Sequence, residues 1–438
     1  MRLLGLFRRV YRVSRWVERR ATPAGAVVGA TAAAAAGRGL GPRLSLAHVV
    51  FGIAFALTAV GFVARGRFRP ALEIVRHLPR FVTVGIPIRY TVSVRNASPR
   101  AVAGLALEER LRQAYPAPAE FARRRSRATN WFDRAVGYPD WIDWLRRLRA
   151  VEVAPGPIPP LEPGQAAEVA LELKPVHRGT AVFEGFGVSR SEPLGLWRAL
   201  RDLDAEQALV VLPRIYPVEW PAFGGSRHYQ PGGISLASRV GDSEEFRALR
   251  DYRPGDPLRA IHWRSWARTG HPVVKEHQEE YFARHALVLD TAAASADEPF
   301  EAAVSVAASF TVAERGADAL LDLLFVGAEP HCVTVGRGVG TTDAALQLLA
   351  AVRPAPPESF ARLAEAVTAH AGAIASAILV LQRWDDDRAR LAAALAGLGI
   401  GVRVYVAAER VPESVAPALP HGARWVLPES VREALACP

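Results

Sequence analysis

The sequence predicts a membrane anchor followed by two folded parts, an antiparallel β-sandwich and a C-terminal doubly wound α/β domain. Three observations predict this fold class. The N-terminal region has apolar segments among arginines, the middle region alternates apolar and polar residues, and the C-terminal region alternates short apolar strands with helices. A chain of 438 residues is longer than one ordinary core needs, so several units are expected.

Positive charge is concentrated near the N-terminus. Residues 1–100 hold 17 arginines and two acids, Glu18 and Glu73, so this region carries +15 and the remainder −5 of a net charge of +10. Because a mildly acidic folded part does not favour phosphate binding, no nucleic-acid partner is expected. Two cysteines, Cys332 and Cys437, exclude a disulfide framework and a cysteine-rich metal site.

Residues 1–69 form the predicted anchor, a basic N-terminus and a transmembrane hairpin. The segment 44–64 carries no formal charge and would span about 30 Å of hydrocarbon as a helix. The segment 21–37 is shorter and alanine-rich, and a cleaved signal peptide is the alternative interpretation of it. Arginines flank both segments, so the positive-inside rule places both ends of the hairpin, and the folded domains, in the cytoplasm. The lipid bilayer is therefore an expected partner.

Residues 70–218 predict the β-sandwich. Residues 80–96 alternate apolar and polar side chains, and similar strands recur at 166–175, 180–190 and 208–213, separated by Pro/Gly turns. A helical insertion rich in Trp and Arg is expected at 112–150. It would either lie on the membrane or a partner helix, or cap the sandwich; we favour the cap, because Pro139 interrupts any single long amphipathic helix.

The segment 219–284 contains a dense run, "EFRALRDYRPGDPLRAIHWRSWARTG". Its Pro-Gly pair is typical of a tight turn, its acids can pair with neighbouring arginines, and its tryptophans offer faces for guanidinium groups. The run predicts a network that holds one domain on another; a partner-docking surface and a catalytic site are the other interpretations. The candidate residues are Glu245, Phe246, Arg250, Tyr252, Pro254, Gly255, Asp256, Arg259, His262, Trp263 and Arg268.

Catalysis has little support in the sequence. His262 and Asp256 have the chemistry of a base and the group that orients it. However, the sequence contains no G-x-S-x-G elbow, no H-E-x-x-H motif and no P-loop lysine pattern. We therefore expect no catalytic residue, no cofactor and no enzymatic activity.

Residues 285–438 alternate strands and helices. Apolar strands are predicted at 285–290, 321–327, 331–336, 376–382 and 401–408, with helices at 298–317, 342–352, 356–372 and 385–399. This alternation is typical of a mainly parallel sheet covered on both faces.

The run at 245–270, the following "VKEHQEE" and "HALVLDT", and the upstream "HRGTAVFEGFGVSRSEPLGLWRA" resemble the bacterial domain-of-unknown-function fifty-eight family. The resemblance implies a von Willebrand factor A-like C-terminal domain, the bacterial inner membrane, and a MoxR-type AAA+ ATPase as partner. The expected function is a non-enzymatic adaptor or scaffold in the assembly or maturation of envelope or other complexes. The alternative is a metal-dependent or hydrolytic cell-envelope enzyme. The oligomeric state stays open.

The same resemblance identifies weak candidates for a metal site. Von Willebrand A-like domains often hold Mg²⁺ through an Asp-x-Ser-x-Ser motif, a threonine and a second aspartate. This chain keeps Asp290, Thr342 and Asp385 but has alanine at 292 and 294. Because a hard cation needs about six oxygen ligands, the loss of two hydroxyls predicts no bound metal.

Overall fold

The chain has a mixed α/β architecture in the computed structural model. The structure describes residues 2–38, 46–116, 121, 130–221, 223, 245–254, 256, 258, 261–278, 284–314, 319–327, 329–336, 340–412 and 418–436. The chain divides into two compact units, Met1–Arg214 and Ile215–Pro438.

The first unit begins with three helices, α1 (Arg2–Arg20), α2 (Pro23–Arg38) and α3 (Leu46–Ala64). Among the described residues, α3 alone is long and apolar enough to cross a membrane by length and composition. The other predicted span, at 21–37, corresponds to α2, which packs against α3 but has only 16 residues. A helix of that size is about 24 Å long, less than the hydrocarbon thickness of about 30 Å.

Two sheets share the main core of the first unit. One has the strand order β1-β3-β7-β5, the other β2-β9-β8-β4-β6, and all neighbours are antiparallel except β2 and β9. Alternate residues of both sheets face a common apolar cluster, as expected for half-buried strands. The strands are β1 (Leu72–His77), β2 (Phe81–Thr83), β3 (Ile88–Asn96), β4 (Leu105–Leu111), β5 (Val151–Val153), β6 (Gly156–Ile158), β7 (Ala166–Pro175), β8 (Gly179–Ser191) and β9 (Arg198–Leu212).

The continuous strand predicted over 80–96 is divided in the structure. Gly85, with φ of 82°, turns the chain between β2 and β3, which join different sheets. A positive φ costs glycine little, so this residue permits the turn. The strands predicted at 166–175 and 180–190 are present as β7 and β8.

The described part of the insertion contains two short helices, α4 (Trp131–Val136) and α5 (Tyr138–Arg147). Gly137, with φ of 75°, ends α4, whereas Pro139 lies in the first turn of α5. The interruption therefore occurs at glycine and not at proline, because proline is well tolerated at a helix start. Trp141 of α5 is buried in an apolar cluster with Phe7 of α1, so the insertion packs on the N-terminal helix.

The second unit contains a two-stranded hairpin, a short helix and a six-stranded sheet. The sheet order is β14-β13-β12-β15-β16-β17, and every pair is parallel except β13 with β14. Helices α9 and α10 pack on one face of the sheet. Helix α7 contacts β12, β15 and β16, and it also packs against α8 and α11. The elements are β10 (Glu245–Asp251), α6 (Trp263–Thr269), β11 (Val273–Gln278), β12 (Arg284–Leu289), α7 (Glu298–Val312), β13 (Leu320–Val326), β14 (Pro330–Val335), α8 (Thr342–Ala351), α9 (Ser359–His370), β15 (Ser376–Leu381), α10 (Asp386–Gly397), β16 (Gly401–Ala407), β17 (Arg424–Val426) and α11 (Val431–Ala436).

Candidate functional site

The carboxyl edge of the six-stranded sheet brings two of the three candidate metal ligands together. Asp290 directly follows β12 and is fully buried. Asp385 follows β15 and caps α10, its Oδ1 accepting from the Arg388 backbone N–H at 3.1 Å. This edge is where open α/β sheets usually bind ligands, since the loops after parallel strands meet there.

An arginine side chain lies between the two carboxylates. Arg388 Nε and Nη2 donate to Asp290 Oδ2 at 2.8 and 2.6 Å, and Nη1 donates to Asp385 Oδ2 at 2.6 Å. The guanidinium carbon lies 4.1 Å from the centre of the Phe360 ring, and the Arg388 side chain is 1% exposed. Both carboxylates are therefore paired with a cation that the chain itself supplies.

The electrostatics of Asp385 follow from this contact. Burial alone would raise its pKa, but the backbone hydrogen bond and charge of Arg388, with the side-chain hydrogen bond and charge of Arg383, outweigh burial and leave the pKa below its usual value. Asp385 therefore stays charged beside Arg388.

The third metal candidate, Thr342, begins α8, where the neighbouring Thr341 caps the helix by accepting from the Ala344 N–H at 3.2 Å. Within the described ranges, no group of three or more His, Cys, Asp or Glu side chains is arranged to hold a metal ion. Our sequence reasoning did not identify Arg388. The sequence signal for Arg388 was its position three residues after Asp385, which is the spacing of an ion pair on one helical turn.

The candidate residues belong to the run at 245–270, which we call the signature run. Together with β11 it forms the signature hairpin, in which β10 and β11 are paired and α6 lies in the connection between them. Asp256 accepts a bidentate pair from Arg250, with both N–O distances 2.7 Å, and a third bond from the Arg253 backbone N–H at 2.8 Å. Pro254 lies inside this turn. Asp256, in the connection after β10, is thus held against Arg250 of that strand by an ion pair and a turn hydrogen bond.

The other candidate residues of the signature run make contacts that do not involve the Arg250–Asp256 pair. His262 Nδ1 lies 2.7 Å from Ser265 Oγ, and Trp263 stacks on Trp266 with ring centres 5.2 Å apart. The Tyr252 N–H donates to the Pro272 carbonyl, and Arg268 lies in the last turn of α6. Glu245 and Phe246 belong to β10 by their backbone, and their side chains, like Gly255 and Arg259, lie outside the described residues.

The signature hairpin also exposes apolar side chains. Trp263 is 62% exposed, and Leu249 and Leu258 are exposed as well. Exposed apolar groups next to arginines are common at protein–protein interfaces.

The Arg250–Asp256 pair predicts a pH dependence. The hydrogen bonds from Arg250 and from the Arg253 N–H lower the pKa of Asp256 from 3.8 to about 2. A lowered folded-state pKa stabilises the fold above the unfolded pKa, and this contribution is lost as pH falls through the folded value. We expect the melting temperature of the wild type to exceed that of Asp256→Asn at pH 6, and the difference to shrink between pH 4 and pH 3.

Arg250→Gln serves as the matched variant in that measurement, because it removes the partner and keeps the carboxylate. A difference between wild type and Asp256→Asn that stayed constant from pH 6 to pH 3 would contradict the assignment of the pair.

A buried glutamate in the turn between β8 and β9 was not among the sequence candidates. Glu192 accepts from the backbone N–H groups of Leu194 and Leu196 at 2.6 Å and of Trp197 at 3.2 Å. We call residues 192–197 the docking turn. These residues lie in a segment that carries the family resemblance, but nothing in the sequence indicates that the glutamate is buried.

The docking turn contacts two helices. The Thr22 N–H at the start of α2 donates to the Leu196 carbonyl at 3.1 Å, and Trp197 Nε1 donates to the Thr58 carbonyl in α3 at 3.1 Å. A Cβ added at Gly25 would collide with the Leu196 carbonyl, so only glycine allows this approach. The beginning of α2 and the final turns of α3 thus bind one turn of the sheet.

In a comparison with known protein families, residues 248–411 match the family described as "Protein of unknown function DUF58". The match confirms the resemblance seen in the signature run. "Uncharacterized protein YeaD" of Bacillus subtilis (strain 168) is 27% identical over 174 residues, which are 39% of this chain and 42% of that protein. The chain thus matches less than half the length of this relative.

Solved structures give only weak likenesses. The CARDB domain of PF1109 from Pyrococcus furiosus is 11% identical with a TM-score of 0.17, covering 32% of this chain and 94% of that chain. The ASH / PapD-like domain of human CEP192 is 13% identical with a TM-score of 0.17, covering 32% and 84%. Likenesses at these scores support no conclusion about this chain.

Proposed function

We propose that this chain is a non-enzymatic, membrane-anchored adaptor that works with a MoxR-type AAA+ ATPase in the assembly or maturation of envelope or other complexes. One observation carries the proposal. The carboxylates best placed to hold a metal are bound by Arg388, while the family-matched signature hairpin exposes Trp263 and neighbouring apolar groups. Such a surface suits the binding of a protein better than chemistry on a substrate.

The anchor in this proposal is a hairpin of α2 and α3 that crosses the inner membrane. Support comes from the docking turn, which binds the start of α2 and the last turns of α3, as expected if both ends lie on one side. The short α2 would be accommodated by local thinning of the bilayer. Arginines around both ends support a cytoplasmic location of the folded units, where an ATPase partner would have access to ATP.

The two folded parts are proposed to be a β-sandwich and a von Willebrand A-like domain. The common core of the two antiparallel sheets supports the first assignment. The strand order β14-β13-β12-β15-β16-β17 with one antiparallel edge supports the second.

Binding to the ATPase tests the adaptor function. The purified full-length chain in nanodiscs is expected to bind a MoxR-type ATPase from the same genome, and Trp263→Ala should weaken that binding by about tenfold or more, as for an exposed interface tryptophan. Trp131→Ala is the matched control, because Trp131 is also highly exposed but lies in the first unit. Equal binding by all three proteins would contradict the role of the signature hairpin, and substrate turnover by the chain alone would favour the alternative enzyme.

Cysteine accessibility tests the orientation. In a chain carrying Cys332→Ser and Cys437→Ser, a cysteine at the exposed Val75 of β1 should react with an impermeant maleimide only after the inner membrane is opened. Labelling in spheroplasts with intact membranes would place this region outside the cytoplasm and remove an ATPase partner from consideration.

A further inference from the structure

Helix α1 carries an apolar stripe that stays exposed among the described residues of the first unit. Leu6, Val10, Val13 and Val17 are 42–62% exposed. Their spacing of four, three and four residues places them on one face of the helix. Four neighbouring aliphatic side chains in water form an unfavourable surface, because each keeps apolar area hydrated.

The stripe cannot turn inward, because the opposite side of α1 is attached to the protein. Phe7 is buried next to Trp141, with ring centres 6.2 Å apart. Arg149 Nη2 donates to Tyr11 Oη at 2.8 Å, and Arg19 Nε donates to Glu108 Oε1 at 2.7 Å. These contacts set the rotation of the helix about its own axis and direct the stripe away from the core.

The location of α1 indicates what covers the stripe. Two residues separate its last residue, Arg20, from α2. Near the end of α1, the ring centres of Trp16 and Trp197 of the docking turn are 6.4 Å apart. The guanidinium carbon of Arg65 lies 5.6 Å from the centre of the Trp16 ring. Arg65 directly follows α3, so this end of α1 lies beside the end of the candidate span. Tryptophan and arginine at such a boundary are typical of the membrane–water interface.

The charge of α1 is complementary to an anionic lipid surface. The helix contains seven arginines and one acid, Glu18. By helical position, Arg9 and Arg20 lie along one border of the stripe, where their side chains can reach lipid phosphates while the aliphatic groups enter the acyl region.

We propose that α1 lies in the plane of the membrane, with the stripe buried at the boundary between headgroups and acyl chains of an anionic phospholipid bilayer. The inference rests on the proposed membrane anchor and extends it. The anchor then has two parts, a spanning hairpin and a surface helix, and the surface helix holds the first unit close to the bilayer through α5 and the docking turn.

Spin labels on the purified full-length chain test this placement. The chain, with Cys332→Ser and Cys437→Ser, is reconstituted without other proteins into vesicles of phosphatidylcholine and phosphatidylglycerol. A label at Val13→Cys reports on the stripe, and a label at Arg15→Cys reports on an exposed position away from it. Accessibility is measured with oxygen, which concentrates in lipid, and with a water-soluble nickel complex.

We expect the label at 13 to be shielded from nickel by about threefold or more relative to the label at 15, with the opposite order for oxygen, as for an interfacial helix. Equal nickel accessibility at both positions, in a chain that resists alkaline carbonate extraction, would overturn the surface helix and leave the spanning anchor intact. Release of the chain by carbonate would overturn the anchor itself. Shielding that is unchanged in pure phosphatidylcholine would overturn the preference for anionic lipid.

Discussion

Arg388→Ala is expected to lower the free energy of unfolding of the second unit by about 3–5 kcal/mol, because it leaves the fully buried Asp290 without its cation and removes one of the two arginines that pair with Asp385. The side chain also packs on Phe360, so part of the loss is apolar contact. The measurement is urea unfolding of the purified chain in a mild detergent, followed by tryptophan fluorescence.

Arg390→Ala is the matched control for this experiment. Arg390 lies on the same helix and pairs with Asp387, but its side chain is 77% exposed. We expect a change below about 1 kcal/mol, because exposed ion pairs contribute little. Similar losses for the two variants would contradict the buried arrangement, and so would a clear rise in the wild-type melting temperature with millimolar Mg²⁺.

Arg76→Ala is expected to destabilise the first unit by about 3–5 kcal/mol, since it leaves a buried carboxylate uncompensated. Arg76 Nη2 donates to Glu109 Oε2 at 2.7 Å, and the two side chains are 2% and 1% exposed. Arg76 lies on β1 and Glu109 on β4, so the pair connects the two sheets across their common core. Unfolding in urea, as above, measures the loss.

Tyr90 completes this network and supplies a second variant. Its hydroxyl donates to Glu109 Oε1 at 2.6 Å, and burial together with the charge of Glu109 raises the pKa of Tyr90, so it remains a donor at neutral pH. Tyr90→Phe should therefore cost about 1–3 kcal/mol, less than Arg76→Ala.

The control for the first unit is Arg95→Ala. Arg95 pairs with Glu73 between β3 and β1, and both side chains are largely exposed. We expect a loss below about 1 kcal/mol. If Arg76→Ala were no more harmful than Arg95→Ala, the connection between the sheets would not depend on this ion pair.

Several elements were predicted well because their signal is local. The predicted strands at 376–382 and 401–408 correspond to β15 and β16, since a short run of aliphatic residues between helices has few other ways to be buried. The helix at 385–399 was predicted by its aspartates followed by alanine and leucine, and it is present as α10. The three-residue strand β17 was missed because so short a segment has no periodicity.

The candidate site was predicted only in part. The Arg250–Asp256 pair involves residues six apart in one turn, and the sequence indicated pairing of this kind. The contact of Asp290 with Arg388 joins residues 98 apart, and many arginines compete for such a role in a chain with 54 basic residues. Glu192 and Arg76 were missed for the same reason.

The sequence by itself determined the mixed α/β class, the family resemblance, the apolar segment now seen as α3, and the concentration of arginine before it. These properties depend on composition and on spacing within a few residues. Only the tertiary structure decided that Asp290 and Asp385 share an arginine, that the docking turn binds α2 and α3, and that α1 presents its stripe outward. Each of these depends on which distant side chains meet, and burial makes an unpaired charge or a bare apolar face costly only after the chain has folded.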